Sequence, residues 1–487
     1  MPKFSDLRDY LNYLDSKNLL RIIEGADWFL EIGAITELVA MSRRPKALLF
    51  DSIKGYPKGY RVATCLYASS ELQAIALNLP HDASVLEQVR VLKERIKNLR
   101  GIPPKEVNDG PVKENVLVGD DVNVLKFPAP FWHEGDGGRY IGTGDVVITY
   151  DPEEEWVNLG VYRVQVYDEK TLLMMIIPGH HGRMIMQKYW SKGRPAPVAI
   201  ALGQEPMVFA AAGAPLPWGM SEYHFAGGLK EEPINVIVDE DTELPVPATA
   251  EVVIFGLVPP PEEKTLDEGP FGECTGYYTH RGPGLVVHVT KIWYRNNPII
   301  QGNPPLKGSV IRFSLGAHLF TSALTWIAIE KEVPEVKGVY ALYQLCQTGP
   351  SVLVISIKQA YPGHAKQAAL AALGSQASAR FVKVVVVVDE DVDITNPEDV
   401  LWAICTRVDP YRDIDIIRGI PSMPLDPSIP KERKEFMDYT TSTLVIDATK
   451  KPFGMRDKFP RVNVISPELK KKIMHKWRHV IKDIVGE

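Results

Sequence analysis

Hydrophobic and polar positions divide the chain into three stretches of different character. In the first, Leu7, Tyr10, Leu11 and Leu14 fall on one face at helical spacing, with Ser5 placed to cap the helix. A second helical pattern covers residues 30–41. Short strands are predicted at 47–50 and 60–64, and helices then run to Arg100. The pair Pro103-Pro104 closes this α/β segment. From Val118 to about Pro305 short apolar runs alternate with turn residues and long helical patterns are few. Strands are predicted at 146–150, 252–257 and 285–294, the pattern of a mostly antiparallel barrel. After Pro305 helices return at 317–330 and 363–373. The run FVKVVVVV at 381–388 reads as a strand buried on both faces. Asn396-Pro397 opens the next helix. Helix, strand and helix in that order predict a parallel α/β domain. The last helix starts at Ser466-Pro467, and Ile473, Trp477, Ile481 and Ile484 form an apolar stripe suited to docking within an oligomer.

The central stretch is organised around residues 156–181, WVNLGVYRVQVYDEKTLLMMIIPGHH. Asn158, Gly160 and Tyr162 alternate with Leu159, Val161 and Arg163, the period of a half-buried strand. The segment 167–170 is a polar turn, and 172–177 is the returning strand. Asn158 and Arg163 precede the turn, and His180 and His181 follow it. A hairpin would bring an amide oxygen, a guanidinium and imidazoles within mutual reach, a donor set suited to an anionic, metal-bridged ligand.

Composition narrows the class. A chain of 487 residues suggests about three domains. A net charge of −6 argues against a broad nucleic-acid surface. The four cysteines, Cys65, Cys274, Cys346 and Cys405, form no CxxC pair and read as buried thiols of a reducing compartment. The start MPKFSDLRDY lacks an apolar core, so no signal peptide is visible. No apolar run approaches the roughly 18 residues of a membrane helix. These features predict a cytoplasmic protein.

Glu268 and Glu273 bracket EGPFGE, a turn-rich loop crowded with Phe271, Tyr277 and Tyr278. Two carboxylates this close can divide roles, one ionised against a cation and one protonated for proton transfer. Two solvated loop acids is the plainer reading on spacing alone. Glu222, in PWGMSEYHFAGG, would complete an amide, imidazole and carboxylate set with Asn158 and His181, which suits Mn²⁺ or Mg²⁺ better than zinc. Without that ion, His181 reads as a satisfied core histidine. Arg163 stands among apolar neighbours, where an arginine needs an anionic partner. The glycine-rich GDGGRYIGTG at 135–144 lacks the spacing of a phosphate loop.

Taken together, NLGVYR, the HH pair, GMSE, EGPFGECTGYYT, WAICTRVDP and LVIDATKKP resemble the UbiD family of decarboxylases, in order and over essentially the whole chain. The resemblance implies three parts: an N-terminal α/β domain at 1–115, a central split β-barrel flavin-binding domain at 116–310 and a C-terminal α/β oligomerisation domain at 311–487. It implies prenylated FMN as cofactor, with Mn²⁺ or Mg²⁺ and often K⁺ joining its phosphate to the protein. Asn158, His181 and Glu222 match the metal ligands. Val161, Tyr162 and Arg163 match the segment lining the flavin, together with His180. Arg163, Glu268 and Glu273 match the catalytic network, with Glu273 the proton donor. Some relatives carry Asp where Glu273 stands, and others Gln or Arg in place of His180.

The activity so implied is reversible, non-oxidative decarboxylation of an aromatic, heteroaromatic or α,β-unsaturated carboxylic acid. Its implied partners are CO2, a flavin prenyltransferase that supplies the cofactor, and further copies of the chain in a homodimer or homohexamer. Alternatives are a carboxylase running in reverse, a decarboxylase of a phosphorylated non-aromatic enoic acid, and a non-catalytic flavin-binding assembly subunit. An intact Arg163, Glu268 and Glu273 set favours a catalyst over the last of these.

Overall fold

The computed structural model describes residues 2–307, 315–346, 349–380, 382–451, 453–454 and 458–485. The first helix, Leu7–Ser16, buries Leu7, Tyr10, Leu11 and Leu14, the stripe read from the sequence. Its cap is Asp6 and not Ser5: the Asp6 carboxylate accepts from the Asp9 amide at 2.8 Å, while the Ser5 hydroxyl bonds to the Asp9 carboxylate. A carboxylate at the cap also meets the positive end of the helix. Behind the helix stands a four-stranded sheet in the order Leu20–Glu24, Ala47–Asp51, Arg61–Thr64, Ile299–Gln301. The fourth strand arrives from the far side of the central region and lies parallel to Arg61–Thr64, so the N-terminal layer is closed by distant sequence.

The central region forms a ten-stranded antiparallel sheet. Its order is Tyr140–Gly142, Val164–Val166, Thr171–Met174, Gly282–Tyr294, Val252–Val258, Ala196–Leu202, Asp145–Tyr150, Val157–Gly160. Thr265–Glu268 and Asn115–Val118 add to the long strand Gly282–Tyr294. The inner faces pack a core that includes Val147, Val164, Val287 and Ile292. The predicted hairpin is present as Val164–Val166 against Thr171–Met174. One expectation fails: 156–167 is not a single strand. Val157–Gly160 is the last strand of the order, and Val164–Val166 is the second strand from its other end. Alternation of side chains cannot report this, because it persists when the chain steps from one end of a curled sheet to the other.

The C-terminal region carries a five-stranded sheet in the order Val336–Cys346, Gly349–Ile357, Val384–Asp389, Thr440–Ala448, Ile414–Pro421. The valine run forms its centre, with Val385 to Val388 buried and both neighbours parallel to it. The outer pairs are antiparallel, so the sheet is mixed where an all-parallel one was expected. Helices Ala317–Glu330, His364–Leu373 and Pro397–Arg407 cover it. The final helix, Pro467–Val485, opens with Ser466 accepting the Leu469 amide at 3.1 Å. On its stripe Ile473 and Trp477 are exposed, Ile481 is half-buried, and the Ile484 side chain lies outside the described residues. Among the described residues no helix is long and apolar enough to cross a membrane. The cysteines depart from expectation. Cys65 is a buried thiol and Cys405 an exposed one, whereas Cys274 is disulfide-bonded. The Cys346 side chain lies outside the described residues.

The joint between the first helix and the barrel is electrostatic. Glu251 is fully buried and takes a two-pronged bond from Arg8, at 2.8 Å on each oxygen. It also accepts the Ile299 amide at 3.2 Å and faces Arg295 at 3.4 Å. Removing the acid takes the carboxylate from Arg8 and leaves Arg295 with the Asp6 carboxylate alone, at 2.7 Å. We expect Glu251→Ala to lower unfolding free energy by about 3 kcal/mol, measured by urea denaturation, with Arg8→Lys costing less.

Candidate functional site

The chain leaves the last strand of the order at Gly160 and re-enters at Val164, on the second strand from the other end of the sheet. Three residues, Val161, Tyr162 and Arg163, span that gap. Such a link reaches at most about 14 Å, so the two ends of the sheet are drawn together into a barrel seam. Arg163 therefore sits on the seam and not on a strand as read from the sequence.

Its guanidinium is clamped by two acids. Nε and Nη2 donate to the two oxygens of Glu268, each at 2.8 Å, and Nη1 donates to Glu273. Glu268 is fully buried, and the Arg163 and Glu273 side chains are 9% and 13% exposed. A third donor, the Tyr140 hydroxyl, reaches Glu268 at 2.7 Å. Burial works against the Arg163 charge, but the Glu268 hydrogen bond and both carboxylates outweigh it and hold its pKa above the ordinary arginine value. Burial and the Glu268 charge push the Tyr140 phenol up in the same way. The guanidinium also lies over the Phe271 ring, 5.4 Å from its centre. The predicted Arg163, Glu268 and Glu273 set is thus assembled from residues more than 100 positions apart in the chain.

The loop carrying the two acids is held by a second loop. The Gly269 amide donates to the Gln165 side chain at 3.0 Å. The Gly137 amide donates to the Pro270 carbonyl at 2.6 Å, and the Gly272 amide to Asp136 at 3.0 Å. Contact is so close that a Cβ on Gly137 would stand 1.9 Å from the Gly269 carbonyl oxygen. The glycine-rich 135–144 segment is therefore a scaffold for the acidic loop.

The predicted metal ligands gather around the strand Val157–Gly160. Asn158 is buried on it, with its amide nitrogen 3.4 Å from the Thr149 hydroxyl. Glu222, at the start of the helix Glu222–Lys230, accepts the Leu159 amide at 2.7 Å. Burial pushes its carboxyl up to about 8, against the pull of backbone amides, and no cationic side chain is among the groups that shift it. His181 lies edge-on to Trp156 and Trp218, with ring centres 5.9 and 5.2 Å away. Among the described residues no cluster of three or more His, Cys, Asp or Glu stands ready to hold a metal, and only two of the three predicted ligands are of those types. An amide, an imidazole and a carboxyl that has no cationic partner among the described residues fit a hard dication whose remaining ligands come from a bound anion.

A cavity of about 660 Å³ opens beside the seam. Val161, Tyr162, Arg163, His180 and Glu273 line it, whereas Asn158, His181, Glu222 and Glu268 do not. Sequence reasoning missed four contributors. Tyr140 and Gln165 support the acids from behind, and His280 and Arg380 line the cavity itself. None has a local signal, since each matters only through a neighbour distant in sequence. Arg380 bears on both histidines: burial, then the Arg380 charge, lowers His180 to about 4 and also depresses His181.

Comparison with known proteins agrees with this architecture. Three family models match in order: the 3-octaprenyl-4-hydroxybenzoate carboxy-lyase N-terminal domain at residues 11–92, the Rift-related domain at 105–307 and the C-terminal domain at 315–448. An uncharacterized protein of Aquifex aeolicus is 35% identical over 98% of both chains. The vanillic acid decarboxylase of Sedimentibacter hydroxybenzoicus in its open form is 30% identical, with a TM-score of 0.85 over 99% of this chain and 100% of that one. HmfF from Pelotomaculum thermopropionicum, a UbiD-class enzyme in complex with FMN, is 32% identical, with a TM-score of 0.81 over 96% and 98%. An evolved dimeric form of it in complex with prFMN has a TM-score of 0.78 at 30% identity, over 96% and 98%.

Two measurements check the site. Gly137→Ala pushes on the Gly269 carbonyl, so we expect a stability loss of about 2 kcal/mol by thermal melting and loss of carboxy-lyase activity. The lowered His180 pKa has a defined sign. The unfolded chain takes up this proton near pH 6.5 and the folded one only near 4, so the stability it contributes is full above 6.5 and is lost as pH falls toward 4. His180→Gln should flatten that fall by on the order of 1–2 kcal/mol, after allowance for partial exposure, in calorimetry of the apoprotein.

Proposed function

The chain belongs to the UbiD family of carboxy-lyases, and from that premise we propose that it catalyses reversible, non-oxidative decarboxylation of an aromatic, heteroaromatic or α,β-unsaturated carboxylic acid with prenylated FMN. The observation that carries this reading is the Arg163 guanidinium locked between Glu268 and Glu273 at the wall of a cavity. Bound prenylated FMN supplies the electron sink that departing CO2 requires. Everything else is the protein's share.

Arg163 has five N–H donors, and three are spent on the two glutamates. Two remain to orient the substrate carboxylate. Glu268, with three donors converging on it, is the fixed anion that holds Arg163 in place. Glu273 has the freer position: it lines the cavity and bonds otherwise to the Cys274 amide at 3.1 Å. In its acid form it delivers the proton to the carbon that has lost CO2. Val161, Tyr162 and His180 would border the flavin, and Arg380, which lines the same cavity, would add a cation for an anionic part of it. Asn158, His181 and Glu222 would hold Mn²⁺ or Mg²⁺, which would supply positive charge for an anionic group of the cofactor, and K⁺ would be a further cation of this reading. The reading places a homodimeric or homohexameric enzyme in the cytoplasm, where a flavin prenyltransferase provides the cofactor.

Glu273→Gln keeps the shape and removes the acid. We expect CO2 release from a panel of aromatic and enoic acids to fall by about 10³-fold, while the absorbance of bound flavin is unchanged. Wild-type rates in that variant would remove Glu273 from the mechanism.

A further inference from the structure

Two of the three residues suited to a dication open helices. His181 begins the helix His181–Trp190, and Glu222 begins the helix Glu222–Lys230. The helices are anchored in separate parts of the core, the first through Met186 and the second through Tyr223 and Phe225. Neither has a side chain capping its first turn, so the turns that carry His181 and Glu222 lack the fixing that a cap provides. The spacing of imidazole and carboxylate is therefore left to other contacts.

Trp218 supplies them. It lies in the linker 213–221, four residues before Glu222. Leu216 buries the first half of that linker, and Trp218 holds the second half against the His181 helix. Its ring meets the His181 ring edge-on at 5.2 Å and 88°, and the Trp156 ring at 5.1 Å and 80°. Trp156 meets His181 in turn at 5.9 Å, so the three rings close a triangle. The indole Nε1 donates to Glu154 at 2.8 Å. Lys188, further along the His181 helix, donates to the same carboxylate at 3.0 Å and to Asp151 at 2.6 Å. Its ammonium also lies 5.2 Å from the Trp218 ring centre. One indole thus touches the His181 ring, the body of its helix and the chain leading into Glu222.

A metal-ligating histidine is ordinarily aimed by a hydrogen bond on its second nitrogen. Among the described residues the His181 imidazole has ring neighbours and no hydrogen-bond partner. With an indole on each flank it keeps one plane, and little rotameric freedom is left to lose when a ligand binds. Resting on the decarboxylase reading above, we propose that Trp218 is the positioning residue of the dication site: it aims His181 and ties the Glu222 segment to the His181 helix.

The Leu159 amide reports that tie. The Asp151 amide bonds to the Trp156 carbonyl at 2.9 Å, and by the alternation of antiparallel pairs the Leu159 amide then points away from its neighbour strand. It bonds instead to the Glu222 carboxylate at 2.7 Å, so its protection from exchange depends on Glu222 being in place.

The test uses the full chain, with FMN and Mn²⁺ as probes. Electron paramagnetic resonance of free Mn²⁺ gives the affinity of the flavin-loaded protein. Hydrogen–deuterium exchange at Leu159 reads the tie in protein free of metal and flavin. We expect Trp218→Ala to weaken Mn²⁺ binding about 10- to 100-fold and to speed Leu159 exchange at least about tenfold, with the melting temperature unchanged. Trp218→Phe keeps a ring edge against His181 and should bind Mn²⁺ within about threefold of the wild type. Unchanged Mn²⁺ affinity or unchanged Leu159 exchange in folded Trp218→Ala overturns the proposal. Should that variant not fold, Trp218→Leu, which keeps apolar bulk without the flat edge, is read by the same two outcomes. If the wild type binds no Mn²⁺ beside FMN, the metal part of the reading fails, and Leu159 exchange alone supports or rejects the tie. If the loaded enzyme turns over no acid, the decarboxylase reading fails while both binding and exchange still decide the role of Trp218.

Discussion

A single guanidinium shared by two carboxylates is the constraint around which this protein is arranged. Arg163 is nearly buried, and a buried arginine without a partner would be strongly unfavourable. Glu268 meets it with matched geometry on both oxygens, and Tyr140 adds a neutral donor to the same acid. Glu273 then completes the set from a less enclosed place. The site accordingly has one acid that is fixed and one that faces the cavity, a division set by packing and by the number of donors on each.

Holding that arrangement requires the barrel to close where it does. The seam residues Val161, Tyr162 and Arg163 join the last strand of a long antiparallel order to the second strand from its other end, so Arg163 is positioned by the closure itself. The acidic loop is then pressed onto the seam by Gly137, Asp136 and Gln165. These contacts are hydrogen bonds to backbone, which fix the loop's path independently of which side chains project from it. Chemistry can therefore vary at Glu273 while the support beneath it stays.

The C-terminal domain contributes to the same cavity by a different route. Its central strand is a buried valine run, and its core is continuous with that of the N-terminal helices. An excursion at 422–439, between the strands Ile414–Pro421 and Thr440–Ala448, is pinned to that core through Lys383 and Asp426. Burial opposes the Asp426 charge, but its bonds to Lys383, Ser428 and Ser422 prevail and keep its pKa below the usual carboxylate range. A charged hub of this kind holds the excursion at the cavity, so the C-terminal domain and the barrel line it together.

Much of this was legible in the sequence. The apolar stripe of the first helix, the valine strand, the hairpin at 164–174 and the helix starts at Asn396 and Ser466 all follow from local periodicity and capping. The motifs around Asn158, Arg163, Glu222, Glu268 and Glu273 carried the family resemblance, because motif order along a chain survives without coordinates. What remained hidden was long-range. Period-two alternation could not reveal that Val157–Gly160 ends one side of the sheet order while Val164–Val166 lies next to the strand that ends the other. No local signal marked Tyr140, Gln165, His280 or Arg380, or the bonded state of Cys274. Sequence determines which segments want to be helix or strand and which residues bring charge. Only the closed fold decides which charges are buried together, since burial and hydrogen-bond geometry are properties of neighbours that the chain order does not list.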